Sequence, residues 1–264
     1  MTLPLYQVDA FTAEAFRGNP AAVCLLDVPR PDAWMLALAQ EMNLSETAFL
    51  LPEGDGWRLR WFTPLREIEL CGHATLASAH VLWESGRLAP GATARFFTHS
   101  GLLCASQLAE DWIELDFPAR EVEKGDPPAG MVEALGVQPV WSGHFNHRYL
   151  LELNSEGQVR RAAPDFTLLK GVECRGVIIT ARATTAGLDF VSRFFATYAG
   201  INEDPVTGSA HTLLIPYWAA KLGRPVMTAY QASARGGMLR LRLAGERVGI
   251  AGQAVTVFNA ELLV

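Results

Sequence analysis

Two stretches of the chain pair residues that could move a proton with residues that could hold an anion. In the first, Asn43-Leu44-Ser45-Glu46-Thr47-Ala48-Phe49 is followed by Cys71-Gly72-His73-Ala74-Thr75. The second is Glu203-Asp204-Pro205-Val206-Thr207-Gly208-Ser209-Ala210-His211, which runs directly into the apolar TLLIPYWAAKL. Glu46 stands where a helix ends and an apolar strand begins. A carboxylate there would lose part of its hydration, which raises its pKa and suits it to take a proton and return it. The plainer alternative is a solvated loop glutamate. His73, Asp204 and Glu46 all occupy junctions between elements, where proton-transfer groups are expected. Gly72-His73 and Gly208-Ser209 each open an apolar helix. A helix start offers unpaired N–H groups and partial positive charge, which suit an anionic ligand. Tight turns at Gly72 and Gly208, with Ser209 as an ordinary cap, are the plainer reading.

Other chemistries fit less well. Neither helix start follows GxxxxGK[ST] or GxGxxG, so no nucleotide cofactor is expected. Ser209 has no GxSxG elbow, which argues against a hydrolase. The six histidines are scattered and no set of four ligands has metal-binding spacing, so no metal is expected. Cys71 could gain thiolate character at the helix start or could serve as a small buried hydrophobe.

The elements that must position these residues are mostly strands. Short apolar or alternating runs recur, among them LYQVDAFT, AAVCLLD, TAFLLP, WRLRWFTP, HRYLLELN, GVIITAR, LDFVSRFF and AVTVFNAEL. Helical spacing is confined to 31–42, 72–86 and 208–222. In 31–42, Pro31 can occupy the first turn and Trp34, Leu38 and Met42 share a face. The other two are so apolar that protein should surround them, and Pro216 should remove one hydrogen bond of the last and kink it. The polar stretch 118–128, PAREVEKGDPP, reads as a linker near mid-chain. On each side of it the same order recurs: a strand ending in Arg-aromatic-Phe (Arg60-Trp61-Phe62, Arg193-Phe194-Phe195), a carboxylate-bearing loop, then Gly opening an apolar helix. This pattern points to an internal duplication.

At 264 residues, half of them hydrophobic, the chain is long enough for two domains and a sizeable core. A net charge of -6 with dispersed arginines lacks the footprint of a nucleic-acid binder. No apolar run is long enough for a membrane-spanning helix. Cys24, Cys71, Cys104 and Cys174 lie far apart without CxxC spacing, as expected of reduced thiols in a cytoplasmic protein, and MTLPLYQVDAFT has no leader pattern.

Four segments taken together resemble the PhzF-like (phenazine biosynthesis protein PhzF) family: VDAFTAEAFRGNPAAV at 8–23, EMNLSETAFL at 41–50, FTPLREIELCGHATLASAH at 62–80 and FATYAGINEDPVTGSAH at 195–211. The resemblance implies the diaminopimelate-epimerase-like α+β fold. That fold has two pseudo-symmetric domains, each a curved, mostly antiparallel sheet wrapped around a central helix, with an active site in the cleft between them. The expected domains are 1–117 and 118–264, and in this fold the last strand, 254–264, can return to the first. The family's proton-transferring glutamate falls on Glu46, its histidine on His73, its aspartate on Asp204, and its substrate-binding glycines and serine on Gly72, Gly208 and Ser209. Implied with these are a proton shift on a small carboxylate-bearing metabolite, without metal or organic cofactor, and a homodimer. Diaminopimelate epimerases and proline racemases use a cysteine before each helix start. Here Cys71 precedes the first but Thr207 the second, which disfavours a two-thiol racemase and favours a single-carboxylate isomerase. A non-catalytic binding protein on the same fold, and an isomerase using Cys71 as a lone thiol, are the competing readings.

Overall fold

The computed structural model describes residues 2–263. The chain forms two compact units, Met1–Phe117 with Gly249–Val264, and Pro118–Val248. In chain order the first carries β1 (Thr2–Ala10), β2 (Asn19–Leu25), α1 (Asp32–Met42), β3 (Glu46–Glu53), β4 (Gly56–Phe62), β5 (Glu67–Ile68), α2 (Gly72–Glu84), β6 (Ala94–Thr98), β7 (Gly101–Gln107) and β8 (Ile113–Pro118). The second carries β9 (Glu123–Lys124), α3 (Met131–Leu135), β10 (Pro139–Phe145), β11 (Arg148–Leu153), α4 (Glu156–Arg161), α5 (Phe166–Lys170), β12 (Gly176–Arg182), β13 (Phe190–Phe195), β14 (Glu203–Asp204), α6 (Gly208–Leu222), β15 (Val226–Gln231) and β16 (Gly237–Ala244). β17 (Arg247–Gly252) straddles the division, and β18 (Ala254–Leu263) pairs antiparallel with β1 in the first unit. The return to the first unit therefore begins at Gly249, earlier than 254.

The fold is α+β and dominated by strands. Most described pairings are antiparallel, but parallel ones occur in both units, β2 with β3 and β4 with β6 in the first, β11 with β12 and β13 with β15 in the second. In the first unit, α2 packs against β1, β2, β3, β7 and β18, so strands enclose it. That environment explains its composition. A helix bounded by protein has no need of a polar face, and ten of its residues, from His73 to Trp83, are buried. Helix α6 is equally apolar and packs against β15 and β16. Its Trp218 stacks on Phe190 at 5.6 Å and donates from Nε1 to Thr180 Oγ1 at 3.0 Å. Among the described residues no helix is long and apolar enough to cross a membrane.

The short helices α3, α4 and α5 lie outside the three segments to which the sequence confines helical spacing. Helix α1 begins at Asp32, with Pro31 outside it as the cap; it buries Met35, Leu38 and Ala39, and Trp34 and Met42 pack half-buried against the same core. Trp34 meets Phe49 of that core edge-on, with ring centroids 6.2 Å apart. Helix α6 runs unbroken through Pro216. The stretch 118–128 holds β9, which pairs with His144 and Gly143 of β10, so it belongs to the second unit's sheet.

The duplication is written into the strand register. In the first unit Glu46 of β3 sits opposite Ala21 of β2, Thr47 opposite Phe62, and Phe62 opposite Glu67. The second unit repeats this with Gly176 opposite Arg148, Val177 opposite Phe195, and Phe195 opposite Glu203. Each unit also braces the loop before its central helix with a two-pronged arginine–glutamate pair, Arg60–Glu67 at 2.6 Å for both bonds and Arg193–Glu203 at 2.7 and 2.9 Å.

Candidate active site

Glu46 owes its position to a helix stop and a parallel pairing. Asn43 ends α1 in the left-handed region (φ 50°), which asparagine tolerates, and its N–H returns to Ala39 O. Three residues later the chain enters β3 beside β2, so Glu46 begins the strand next to Ala21. The turn feeding β2 needs Gly18. Its φ is +61°, and a Cβ there would lie 2.2 Å from Ala10 O.

Helix α2 brings His73 to the same place. The imidazole is 5 % exposed, and its Nε2 lies 3.3 Å from Glu46 Oε2. On the other side of the ring, Asn19 Nδ2 lies 3.2 Å and Cys71 Sγ 3.5 Å from Nδ1. With Asn19 donating to Nδ1, the proton of the neutral ring sits on Nε2 and faces Glu46. Ser45 Oγ lies 3.5 Å from that same Nε2. Burial pushes the Glu46 carboxyl pKa up, and hydrogen bonds from Ser45 and Cys71 only partly offset it. The Glu46 side chain is 16 % exposed, so it is desolvated without being sealed in. No side chain caps the start of α2, where the cap residue is Cys71. The mouth of the helix thus keeps its affinity for an anion beside a carboxylate able to accept a proton.

In the second unit, Asp204, Thr207, Gly208 and Ser209 form another helix mouth, tied down by hydrogen bonds. Asp204 is 9 % exposed, and its Oδ2 accepts from Thr207 Oγ1 at 2.5 Å. The fully buried Gln231, at the end of β15, accepts from Thr207 N at 2.9 Å. It also donates to Asp204 O at 2.8 Å and to Thr207 Oγ1 at 3.2 Å. Thr207 is the cap residue, but its hydroxyl serves Asp204 and caps nothing. Ser209 is therefore inside the helix and is not the cap; its carbonyl accepts from Thr212 Oγ1. Below it His211 is fully buried, donates from Nδ1 to Thr207 O at 2.8 Å, and has its pKa lowered to about 4 because burial penalises the charged ring.

The structure thus brings together Glu46, Gly72 and His73 in the first unit, and Asp204, Gly208 and Ser209 in the second. The sequence singled out neither Asn19 nor Gln231 as a site residue. Asn19 lies within the RGNP turn, and nothing local ties it to a histidine 54 positions away. Gln231 ends an ordinary strand run, and only its burial marks it. Sequence spacing also concealed that Glu46, Cys71 and His73 form a cluster whose ligand atoms all lie within 4.8 Å of one another, of types that could hold a metal ion.

Comparison with known proteins agrees over the whole chain. The family of phenazine biosynthesis-like proteins, PhzC-PhzF, matches residues 8–260. A Halalkalibacterium halodurans protein described as an uncharacterized isomerase is 52% identical over 264 residues, which span 100% of this chain and 99% of that one. The crystal structure of a phenazine biosynthesis protein of the PhzF family from Enterococcus faecalis superimposes with a TM-score of 0.95 at 43% identity, covering 100% of both chains. A probable proline racemase from Agrobacterium radiobacter has the same fold at 12% identity, with a TM-score of 0.68 over 99% of this chain and 93% of that one.

Proposed function

The chain belongs to the phenazine biosynthesis-like PhzC-PhzF family, and from that premise we propose that it is an isomerase shifting a proton within a small carboxylate-bearing substrate. Glu46 is the base and then the acid. One observation carries this reading: a largely desolvated carboxylate with a raised pKa, 3.3 Å from an imidazole Nε2–H, beside a helix mouth that no side chain caps. A carboxylate poised in this way holds a proton long enough to return it to another atom or another face. The N–H groups at Gly72 bind the substrate carboxylate. His73 donates from Nε2, holds the carboxylate of Glu46 in line while it is charged, and orients the substrate. Asp204, like His73, is assigned a catalytic role, orienting the substrate, and Gly208 and Ser209 are assigned to substrate binding. The cap residue of α6 makes no capping bond with its own side chain, and the Thr207 hydroxyl and Gln231 fix the Asp204 carboxylate and the loop that carries it.

The test is solvent deuterium incorporation into a panel of small carboxylates that includes dihydro-hydroxyanthranilate, with product isomers separated in the same run. Label or isomer formed by wild type and lost in Glu46→Gln supports the assignment. Label surviving in Glu46→Gln removes Glu46 as the base. A panel that yields neither label nor isomer favours a binding protein on this fold.

The nearness of Cys71 to Glu46 and His73 favours one second reading, in which Cys71 is a lone thiol base. It predicts that Cys71→Ala is inactive, whereas the carboxylate reading predicts retained turnover. The two-thiol alternative finds no support, since Thr207 stands where the second thiol would and spends its hydroxyl hydrogen on Asp204.

A further inference from the structure

Proton transfer by a carboxylate requires neither a thiol nor a pair of nitrogen and sulfur donors, yet the first mouth gathers all three. Glu46, Cys71 and His73 are the one such cluster among the described residues, and carboxylate, thiolate and imidazole are the donors that zinc takes. The three donors already stand within 4.8 Å of one another. With ordinary zinc bond lengths, tetrahedral neighbours lie roughly 3.3–3.6 Å apart, and His73 Nε2 and Glu46 Oε2 are already 3.3 Å apart. The Cys71 thiol bonds Glu46 and lies 3.5 Å from Nδ1, the nitrogen of the His73 ring away from Glu46, so the sulfur has to swing toward Nε2 to complete a three-donor face. Cys71 is 7 % and His73 5 % exposed, so the donors are held by packing, while the exposed part of Glu46 leaves a way in. One thiolate and one carboxylate neutralise a divalent ion, which removes the penalty of placing a cation near the positive end of a helix. Binding through His73 Nε2 moves the ring proton to Nδ1. Rotation of the Asn19 amide, 3.2 Å away, then presents an oxygen to accept it.

We propose that Glu46, Cys71 and His73 form a capture site for Zn²⁺, and that the captured ion shuts the site off by occupying the Glu46 lone pair. The ion is held by Glu46 Oε2, Cys71 Sγ and His73 Nε2, with a fourth position left to water. The Cys71 thiol proton is released to solvent and no electron is transferred. Capture stands on the geometry alone; the inhibition rests on Glu46 being the base.

The test uses the full chain, freed of metal by chelation, with Zn²⁺ and Co²⁺ as probes. One Zn²⁺ per chain is expected to bind in competition with a chromophoric chelator and to raise the melting temperature, with Cys71→Ser and His73→Gln each weakening binding at least tenfold. Co²⁺ is expected to give a thiolate-to-metal charge-transfer band in wild type and in Cys104→Ser but not in Cys71→Ser. Affinity weaker than roughly 0.1 mM, a spectrum without thiolate character, or undiminished binding by Cys71→Ser overturns the capture. Should Cys71→Ser fail to fold, Glu46→Gln keeps the question open to measurement, because it retains shape and should still lose zinc affinity. Zinc that binds at the triad without stopping deuterium transfer overturns the inhibition and with it Glu46 as the base. Deuterium transfer that depends on Glu46, in a chain that binds no zinc, overturns the capture and leaves the proposed function intact.

Discussion

The two helix mouths are built alike and equipped differently. In each unit a strand ends in an arginine–aromatic–Phe run, a two-residue strand returns beside it, the arginine clamps a glutamate, and a glycine opens an apolar helix. Onto that shared frame the first unit places Glu46, Cys71 and His73. At the corresponding positions the second has Gly176, Thr207 and Ser209. The difference at Glu46 is the sharpest. Gly176 adopts φ +149°, and a Cβ there would meet Phe194 ring atoms at 2.5 and 2.6 Å. A side chain in the second unit where the first holds its carboxylate would have to displace the Phe194 ring and strain the backbone. Duplicating a backbone thus duplicates what backbone supplies, a helix start whose cap residue makes no side-chain capping bond, while titratable chemistry depends on side chains that each copy keeps or lacks.

That contrast can be broken most severely at Glu46. Glu46→Gln is expected to lower turnover on any compound the wild type isomerises by roughly 10²–10⁴-fold, with no loss of thermal stability because it removes a desolvated carboxylate, as read by deuterium incorporation and calorimetry. Gly176→Ala, which begins to rebuild a side chain at the matching site, is expected to destabilise by about 3 kcal/mol through clash and backbone strain. A shifted denaturation midpoint measures it, and an unshifted midpoint would mean that Phe194 yields easily and that the asymmetry is not steric.

A third expectation concerns His211, which has no titratable counterpart as deeply placed in α2's first turn. Its native pKa, about 4, lies below the ordinary value near 6.5, so the unfolded chain binds the proton more readily. Stability should therefore fall as pH drops from about 6.5 to about 4, by about 3 kcal/mol in all, and level off below. His211→Gln should flatten that window. Glu156 acts in a different range. Burial alone would raise its pKa, but donors from Thr185, Thr184 and Arg160 outweigh it and hold the carboxyl well below the usual range, so its contribution is lost only as pH falls below about 4.5. Urea midpoints across the pH series separate the two.

The smallest expected effects compare the twin clamps. Arg193 is 12 % exposed and also donates to Val159 O and Ala162 O, whereas Arg60 is 20 % exposed and its extra partner is the exposed Asp32. Arg193→Gln should cost about 3 kcal/mol and Arg60→Gln about 1 kcal/mol. Equal midpoint shifts would show that the shared glutamate bond dominates both.

Much of this organisation was legible in the sequence because it is local. The apolar run after Gly72, and that after Gly208, could only be enclosed helices, and α6 spans the expected 208–222. The Arg-aromatic-Phe repeat marked the duplication, and the residues of the NLSET, CGHAT and EDPVTGSAH segments supplied the candidate set from chemical type and motif alone. What local pattern could not carry was the short helices α3, α4 and α5, whose five or six residues are too few for an apolar period to repeat.

The sequence by itself determined the three long helices, the predominance of strands, the doubled plan and the residue types at each helix start, since periodicity, turn residues and motif are properties of neighbours along the chain. Tertiary structure alone decided that Asn19 sets the tautomer of His73, that Gln231 locks the Asp204 loop, and that a glutamate, a cysteine and a histidine face one another within 4.8 Å. Those meetings join residues brought side by side by strand register, and register is set by long-range pairing that no window of sequence contains.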